Sequence, residues 1–386
     1  MYDFSKGLVH NFMIYFDNAA TGGRKPDCVI SAVTSAMKVC ANPGRGGHKL
    51  ALACASVVQD CRNVLSDYFG GFGFDRVVFT KNCTEALNIA LLGVLKAGDH
   101  VITTPMEHNS VLRPLEFLQQ AGVITYDVCE LNADGNVGIE ALLKCLQPNT
   151  KMVALTTASN VTGALPPVQE IRKRLPKDVL LLCDGAQGGG HIPIHMKKMG
   201  IDLLAIAGHK GLNALQGCGA LLFSERVNPA PLTFGGTGSM SISLNMPDFY
   251  PDALEAGTLS FPAIVSCLEG VRYLRAHEQE IYEKVFSLTK YCIDGIRALN
   301  EYVVYSQPNP CGIVAFAHSR LPSEQVAAIL SSKYSIAVRG GLHCAPLMHE
   351  QLGTLDNGLV RVSFSHLNCE REIDELLRAL TALKTR

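Results

Sequence analysis

The sequence lacks a C-x-x-C pair, an apolar run of membrane length and a surplus of either charge, and each absence removes a class of function. Its fourteen cysteines stand at positions 28, 40, 54, 61, 83, 129, 145, 183, 218, 267, 292, 311, 344 and 369, which leaves no zinc-ribbon or redox-dithiol spacing. No apolar stretch nears the roughly 18 residues of a membrane span. The N-terminal MYDFSKGLVHNFMIYFDNAA carries acidic and polar residues where a signal peptide needs an apolar segment. Lys plus Arg total 34 against 35 Asp plus Glu, a formal net charge of -1. Binders of nucleic acid or anionic membrane need a basic excess to neutralise phosphates, so neither partner is expected. A Walker A loop is missing, and the glycine clusters at 70–73 and 188–190 do not form G-x-G-x-x-G between a strand and a helix. That weakens a nucleotide cofactor and an NAD-dependent dehydrogenase. The expectation is a cytoplasmic protein with reduced thiols, most of them buried as small apolar residues.

What is present is a chain of 386 residues, 47% hydrophobic, long enough for two or three domains. Short apolar runs read as strands at 76–80, 100–104, 123–128, 151–156, 179–183, 203–207 and 219–223. Helical stretches at 85–95, 110–120 and 168–174 alternate with them. Runs of this length, bounded by Gly, Pro, Asn or Asp, suit strands buried on both faces, and the alternation implies parallel βαβ units. After Pro262 the pattern changes to a long helix at 263–299, short strands near 302–305 and 312–316, and helices at 323–332 and 370–385. The expected organisation is an α/β domain with a mostly parallel sheet, over residues 15–258, and a smaller α+β unit of residues 1–14 and 259–386.

Ligands of open α/β sheets bind beyond the carboxyl ends of the strands. Five of these strands end in polar residues or a helix start. Thr80-Lys81-Asn82-Cys83-Thr84-Glu85 starts a helix, with Asn82 or Thr84 as N-cap, and free N–H groups there suit a phosphate. Alone it reads as an ordinary cap. Glu107-His108-Asn109 offers a histidine that could stack on a ring, and Ser159-Asn160 offers an amide. Cys183-Asp184-Gly185-Ala186-Gln187 sets a carboxylate at the end of an apolar strand, where it needs a cation. Gly208-His209-Lys210 sets a lysine where low polarity would free its amine. Each alone has a bland reading as a loop residue. Together they match the needs of pyridoxal phosphate: a lysine for its aldehyde, an acid for its ring nitrogen, an anion site, a planar neighbour and a donor to its phenolic oxygen.

The chain also resembles the class V branch of fold-type I pyridoxal-phosphate enzymes, in particular the cysteine desulfurase and selenocysteine lyase group. The resemblance runs from Tyr15-Phe16-Asp17-Asn18-Ala19-Ala20 to Val360-Arg361-Val362-Ser363-Phe364. Its most specific stretches are Asp184-Gly185-Ala186-Gln187, Gly208-His209-Lys210, Glu255-Ala256-Gly257-Thr258 and Arg339-Gly340-Gly341-Leu342-His343-Cys344-Ala345. The last is similar to the active-cysteine segment of group II, SUF-type desulfurases. The resemblance implies the fold of an aspartate aminotransferase-like enzyme and a homodimer. It makes Lys210 the lysine that links to the cofactor, Asp184 the partner of the ring nitrogen, Gln187 the donor to the phenolic oxygen and His108 the stacking residue. Cys83, Thr84 and His209 would hold the phosphate, with Thr258 reaching it from the neighbouring subunit. Asn160 and Arg361 would bind the substrate carboxylate, Arg339 would line the entrance, and Cys344 would accept sulfur, its thiol ionised by His343 or a helix start.

Two departures stand out. The family carries Ser or Thr before Gly-His-Lys, whereas here Ala207 offers no hydroxyl. One lost hydrogen bond to the phosphate amounts to about 1–3 kcal/mol if nothing replaces it. Gly44 precedes Arg45 where many group II enzymes have a histidine, which bears on desulfurase efficiency. The expected reaction converts L-cysteine to L-alanine with a persulfide on Cys344, or cleaves L-selenocysteine, and a separate protein accepts the sulfur or selenium. The rival within the fold is a class V aminotransferase or kynureninase-like enzyme; outside it, a non-catalytic scaffold. His191 and His195 have metal-ligand spacing, but Pro193 lies between them and no third ligand is evident, so no metal is expected.

Overall fold

The computed structural model describes residues 13–44 and 46–383. The part of the small unit assigned to residues 1–12 and the end of the last helix at 384–385 lie outside them. In chain order, strand β1 (Ile14–Tyr15) is followed by helices α1 (Asp27–Lys38) and α2 (Lys49–Tyr68). The alternating region then gives β2 (Val77–Thr80), α3 (Cys83–Leu92), β3 (Asp99–Thr103), α4 (Asn109–Gln120), β4 (Ile124–Val128) and α5 (Ile139–Lys144). It continues through β5 (Thr150–Thr156), α6 (Val168–Arg174), β6 (Leu180–Asp184), α7 (Met196–Met199), β7 (Leu203–Ala207) and β8 (Gly219–Phe223). The remainder is α8 (Phe261–Arg297), β9 (Tyr302–Val304), β10 (Ile313–His318), α9 (Ser323–Tyr334), β11 (Ile336–Ala337), α10 (Pro346–Gln351), β12 (Val360–Ser363) and α11 (Glu370–Leu383).

The large sheet has the order β2-β8-β7-β6-β5-β3-β4. Only β8 is antiparallel to its neighbours, so β2 and the five other strands all point the same way. Their carboxyl ends therefore share one edge, which is where the polar residues singled out above must meet. Strands β6, β7 and β8 are buried at every position, as expected for a sheet covered by helices on both faces. The smaller unit carries the antiparallel sheet β12-β10-β9, and β1 pairs in parallel with β11. Its core includes Phe16, Ile293, Val314, Val362 and Leu380. The division of residues 15–258 from the remainder stays our proposal, because the first half of α8 shares the core of the large sheet.

The early helices were not legible as elements. Helix α2 buries Ala51, Cys54, Val58, Cys61 and Leu65, a helical spacing carried largely by small residues and thiols that give a weak apolar signal. Helix α8 bends at His277, which leaves helical geometry (φ -130°) and whose Nδ1 sits 2.9 Å from the Tyr273 carbonyl. Among the described residues no helix is long and apolar enough to cross a membrane.

Candidate active site

The strand-end residues do meet. Cys83, Thr84, His108, Asn160, Asp184, Gln187, Ala207, His209 and Lys210 line one cavity at the carboxyl edge of the sheet. Asn82 caps α3, its Oδ1 accepting from the Glu85 N–H at 2.9 Å, while Glu85 Oε2 accepts from the Lys81 N–H at 2.6 Å. Asn82, not Thr84, is therefore the cap, and Thr84 lines the cavity with its hydroxyl 2.9 Å from the Ser110 hydroxyl. Asp184 ends β6 with Oδ1 accepting from the Ala186 N–H at 2.8 Å and from the Cys83 thiol at 3.4 Å. Lys210 follows β7 half-buried in the cavity wall, and burial pulls its amine below the usual lysine range, with the Asp184 charge opposing that shift. Gln187 donates one amide proton to the Ala19 carbonyl at 3.0 Å.

Burial favours the neutral form of both cavity histidines. Burial lowers His108 to about 4, and its Nδ1 accepts from the Ser110 N–H at 3.0 Å, so the ring proton sits on Nε2. His209 is likewise lowered to about 4, first by burial and then by Lys210 and Lys25, with its Nδ1 at 3.1 Å from the Thr21 hydroxyl.

A second group adjoins the first. Arg361 is buried, donates to the Asn160 carbonyl at 2.9 Å and pairs with Asp17 at 3.1 Å. Its Nε has no protein partner. Asn160 donates to the His343 carbonyl at 2.7 Å, and the Cys344 carbonyl accepts from the Asn109 N–H at 2.8 Å. These bonds tie the Arg339–Ala345 loop to the residue beside His108. His343 and Cys344 both adopt left-handed backbone (φ 51° and 58°), an uncommon pair for non-glycine residues that re-aims the thiol. Cys344 is partly exposed, and an Arg339 Nη2 lies 3.9 Å from its Sγ. The charges of Arg361 and Arg339 reach Lys210 and lower its pKa further, so both groups form one electrostatic site.

One expectation needs correction, and one residue stands apart from the cavity. His343 cannot supply a positive charge to Cys344: it is buried, its Nε2 donates to the Leu359 carbonyl at 3.0 Å, and burial pushes its pKa down to about 2. Arg339 is the cation nearest that sulfur among the described contacts. Thr258 does not line its own chain's Lys210 cavity; it sits exposed in an adjoining groove that shares Asn82 and Thr84.

Residues missed from the sequence include Asp17, Ser110 and Glu107. Asp17 and Glu107 stood inside quoted motifs, but only the folded chain brings Asp17 to Arg361. Glu107 is buried with Oε1 accepting from the Thr104 hydroxyl at 2.7 Å and the Thr156 N–H at 2.9 Å, and burial raises it to about 8. His195 caps α7 rather than facing a metal, its Nδ1 accepting from the Lys198 N–H at 3.4 Å.

These shifts set a pH dependence. His108, His191, His209 and His366 are each held at about 4, below the ordinary 6.5. Between those values the unfolded chain binds protons that the folded chain refuses, so stability is lost as pH falls from 6.5 toward 4. Glu107, held at about 8 against an ordinary 4.5, acts in the opposite sense, while His343, lowered to about 2, adds to the histidine set. The thermal midpoint is expected to drop across pH 6.5 to 4; a flat midpoint over that window would contradict the neutral histidine set.

The donor set fits pyridoxal phosphate. A capped helix start with Thr84 in the cavity wall suits the phosphate, the Lys210 amine belongs to the same cavity, and a carboxylate stands at the adjacent strand end. Gly208 allows a close turn before Lys210, since a Cβ there would lie 2.6 Å from the Cys218 carbonyl. Ala207 leaves one hydroxyl fewer.

Comparison with known proteins gives consistent results. The aminotransferase class-V family profile matches residues 14–376. The chain is 31% identical to a probable cysteine desulfurase of Pyrococcus abyssi over 384 residues, covering 96% of this chain and 94% of that one. It superposes on the apo cysteine desulfurase of Thermococcus onnurineus with a TM-score of 0.88 at 32% identity, covering 96% and 94% of the two chains. A cysteine desulfurase of Escherichia coli gives a TM-score of 0.87 at 25% identity, covering 96% and 95%.

Proposed function

This chain belongs to the aminotransferase class-V family, whose cofactor is pyridoxal 5'-phosphate, and from that premise we propose that it is a cysteine desulfurase with Cys344 as sulfur acceptor. The observation that carries the reading is the tethering of Cys344 beside the lysine cavity, through Asn109 next to His108 and through His343 to Asn160. An aminotransferase needs no thiol there.

In this reading Thr84, His209 and the start of α3, with the Cys83 N–H, hold the phosphate; Gln187 and His108 hold the ring, and Asp184 keeps a proton on its nitrogen. The bound cofactor supplies an electron sink for negative charge at the substrate's Cα. Arg361 and Asn160 orient the substrate carboxylate, and the unpartnered Arg361 Nε supports that role. Lys210, its amine held below the usual range, takes the Cα proton. Cys344 Sγ, beside Arg339, attacks the substrate sulfur. An S–S bond forms, the Cβ–S bond breaks, and its electron pair stays on carbon. The proton lost by the Cys344 thiol is balanced by the one gained at Cβ, so L-cysteine and a thiol become L-alanine and a persulfide. L-selenocysteine would enter the same site. A homodimer would bring Thr258 to the neighbouring phosphate, and an acceptor protein would remove the sulfur at the exposed side of Cys344.

The test incubates the cofactor-loaded protein with L-cysteine and a dithiol and measures alanine and sulfide in equal amounts. Keto-acid-dependent amino transfer without sulfide would replace this reading with the aminotransferase one.

A further inference from the structure

We propose that Cys83 is a positioning residue that acts through Asp184: its thiol holds one carboxylate oxygen, leaves the other for the cofactor's ring nitrogen and keeps their shared proton on that nitrogen. The inference deepens the functional reading above and rests on it. Cys83 is the first residue of α3, directly after the Asn82 cap, and lines the same cavity as Asp184 and Lys210. Its reach comes from the close approach of α3 to the sheet. Gly219 opens β8 without a side chain, and a Cβ there would lie 2.6 Å from the Asn82 carbonyl carbon. One residue therefore offers a backbone N–H at the helix start and a thiol to the end of β6.

The two oxygens of Asp184 are not equivalent. Oδ1 accepts from the Ala186 N–H at 2.8 Å and from the Cys83 thiol at 3.4 Å. Oδ2 has no hydrogen-bond partner among the described residues, yet it is not shut away from the surface as the Arg361 Nε is. Asp184 is buried and lines the cavity, so Oδ2 is the oxygen that opens on it. A thiol on Oδ1 and a ring N–H on Oδ2 do not compete for a lone pair. The thiol donates here, because a carboxylate has no proton to give. Burial, and then the Asp184 charge, pushes the thiol well above its ordinary range, so it keeps that proton and does not act as a nucleophile. Donors on a buried carboxylate take up negative charge that water would otherwise solvate. With that charge drawn to Oδ1, the proton between Oδ2 and the ring stays on nitrogen, where it makes the ring an electron sink. The other groups that reach this carboxylate are Lys210, of opposite charge, and Glu107, His108 and Cys183, all shifted by burial toward their neutral forms.

The experiment loads the protein with pyridoxal 5'-phosphate isotope-labelled at the ring nitrogen and records the NMR shift of that atom, which reads whether it carries the proton. The kcat and KM for L-cysteine are the parallel readout, and thermal melts of the cofactor-free proteins are the control for folding. Cys83→Ala is expected to move the shift toward the unprotonated position. It should lower kcat about three- to tenfold with KM unchanged, the worth of a modest hydrogen bond to a charge. Cofactor affinity by equilibrium dialysis should change little, because the backbone N–H at the helix start is kept. Cys83→Ser, which keeps a donor, is expected to hold the wild-type shift and kcat. A wild-type shift in Cys83→Ala would overturn the proposal. So would a folded Cys83→Ser displaced as far as Cys83→Ala, which would make the role of the thiol one of packing. If the wild type itself forms no borohydride-sensitive band, the cofactor reading fails first, which separates the two failures.

Discussion

Lys210→Ala is expected to lower alanine formation from L-cysteine by at least about 10³-fold while leaving a folded protein, the upper part of the usual range for a general acid–base group. Among the residues lining the cavity, Lys210 is the only one with an amine. Its burial pulls the amine below the ordinary lysine range, which favours the neutral, proton-accepting form. The nearest substitute is Lys25, lowered to about 8 by burial, but its Nζ donates at 3.2 Å to the His209 carbonyl and it does not line the cavity. It is therefore not positioned to replace Lys210. The measurement pairs alanine production with borohydride reduction and mass analysis of the protein. Loss of the reducible adduct together with activity is the expected result. A variant within tenfold of wild type would remove Lys210 from the chemistry.

Cys344→Ala is expected to cost at least about a hundredfold in cysteine desulfuration with cofactor affinity unchanged. No contact of its side chain holds the cofactor wall; the loop is held by the Cys344 carbonyl and by His343, which alanine preserves. Selenocysteine cleavage should survive better, because the weaker carbon–selenium bond depends less on attack by a thiolate. Mass analysis of the wild type after exposure to L-cysteine should find one extra sulfur in the peptide containing Cys344. Full cysteine activity in the alanine variant would exclude this thiol. Three buried cysteines offer weak competition: burial raises Cys129 and Cys311 to about 12, and Cys83 well above its ordinary range.

Much of the large sheet was legible in the sequence. The runs at 203–207 and 219–223 coincide with β7 and β8, and 168–174 coincides with α6, because Gly, Pro or polar residues bound each one. Cap chemistry at Asn82 was also visible, although Thr84 competed with it on composition alone. Helices α1 and α2 escaped, since α1 buries only Val29 and Ala36 and the buried face of α2 is carried largely by small residues and thiols. The expectation for His343 failed for a physical reason that sequence does not carry: proximity to Cys344 along the chain says nothing of burial, and burial keeps this ring neutral.

The sequence by itself determined the residue types of the site, their positions after apolar strands and the lack of every rival cofactor signature. A carboxylate or an amine following a buried strand is local information. Tertiary structure decided which of these residues share a cavity, because that depends on strand order and direction, and only β8 runs against the others. It also decided that Asp17 faces Arg361 across a separation of 344 residues, that Arg339 rather than His343 is the cation beside Cys344, and that Ser110 bridges two helix starts. Charge state in particular is a tertiary property. The same histidine is a cation or a neutral acceptor according to how much water the fold leaves around it.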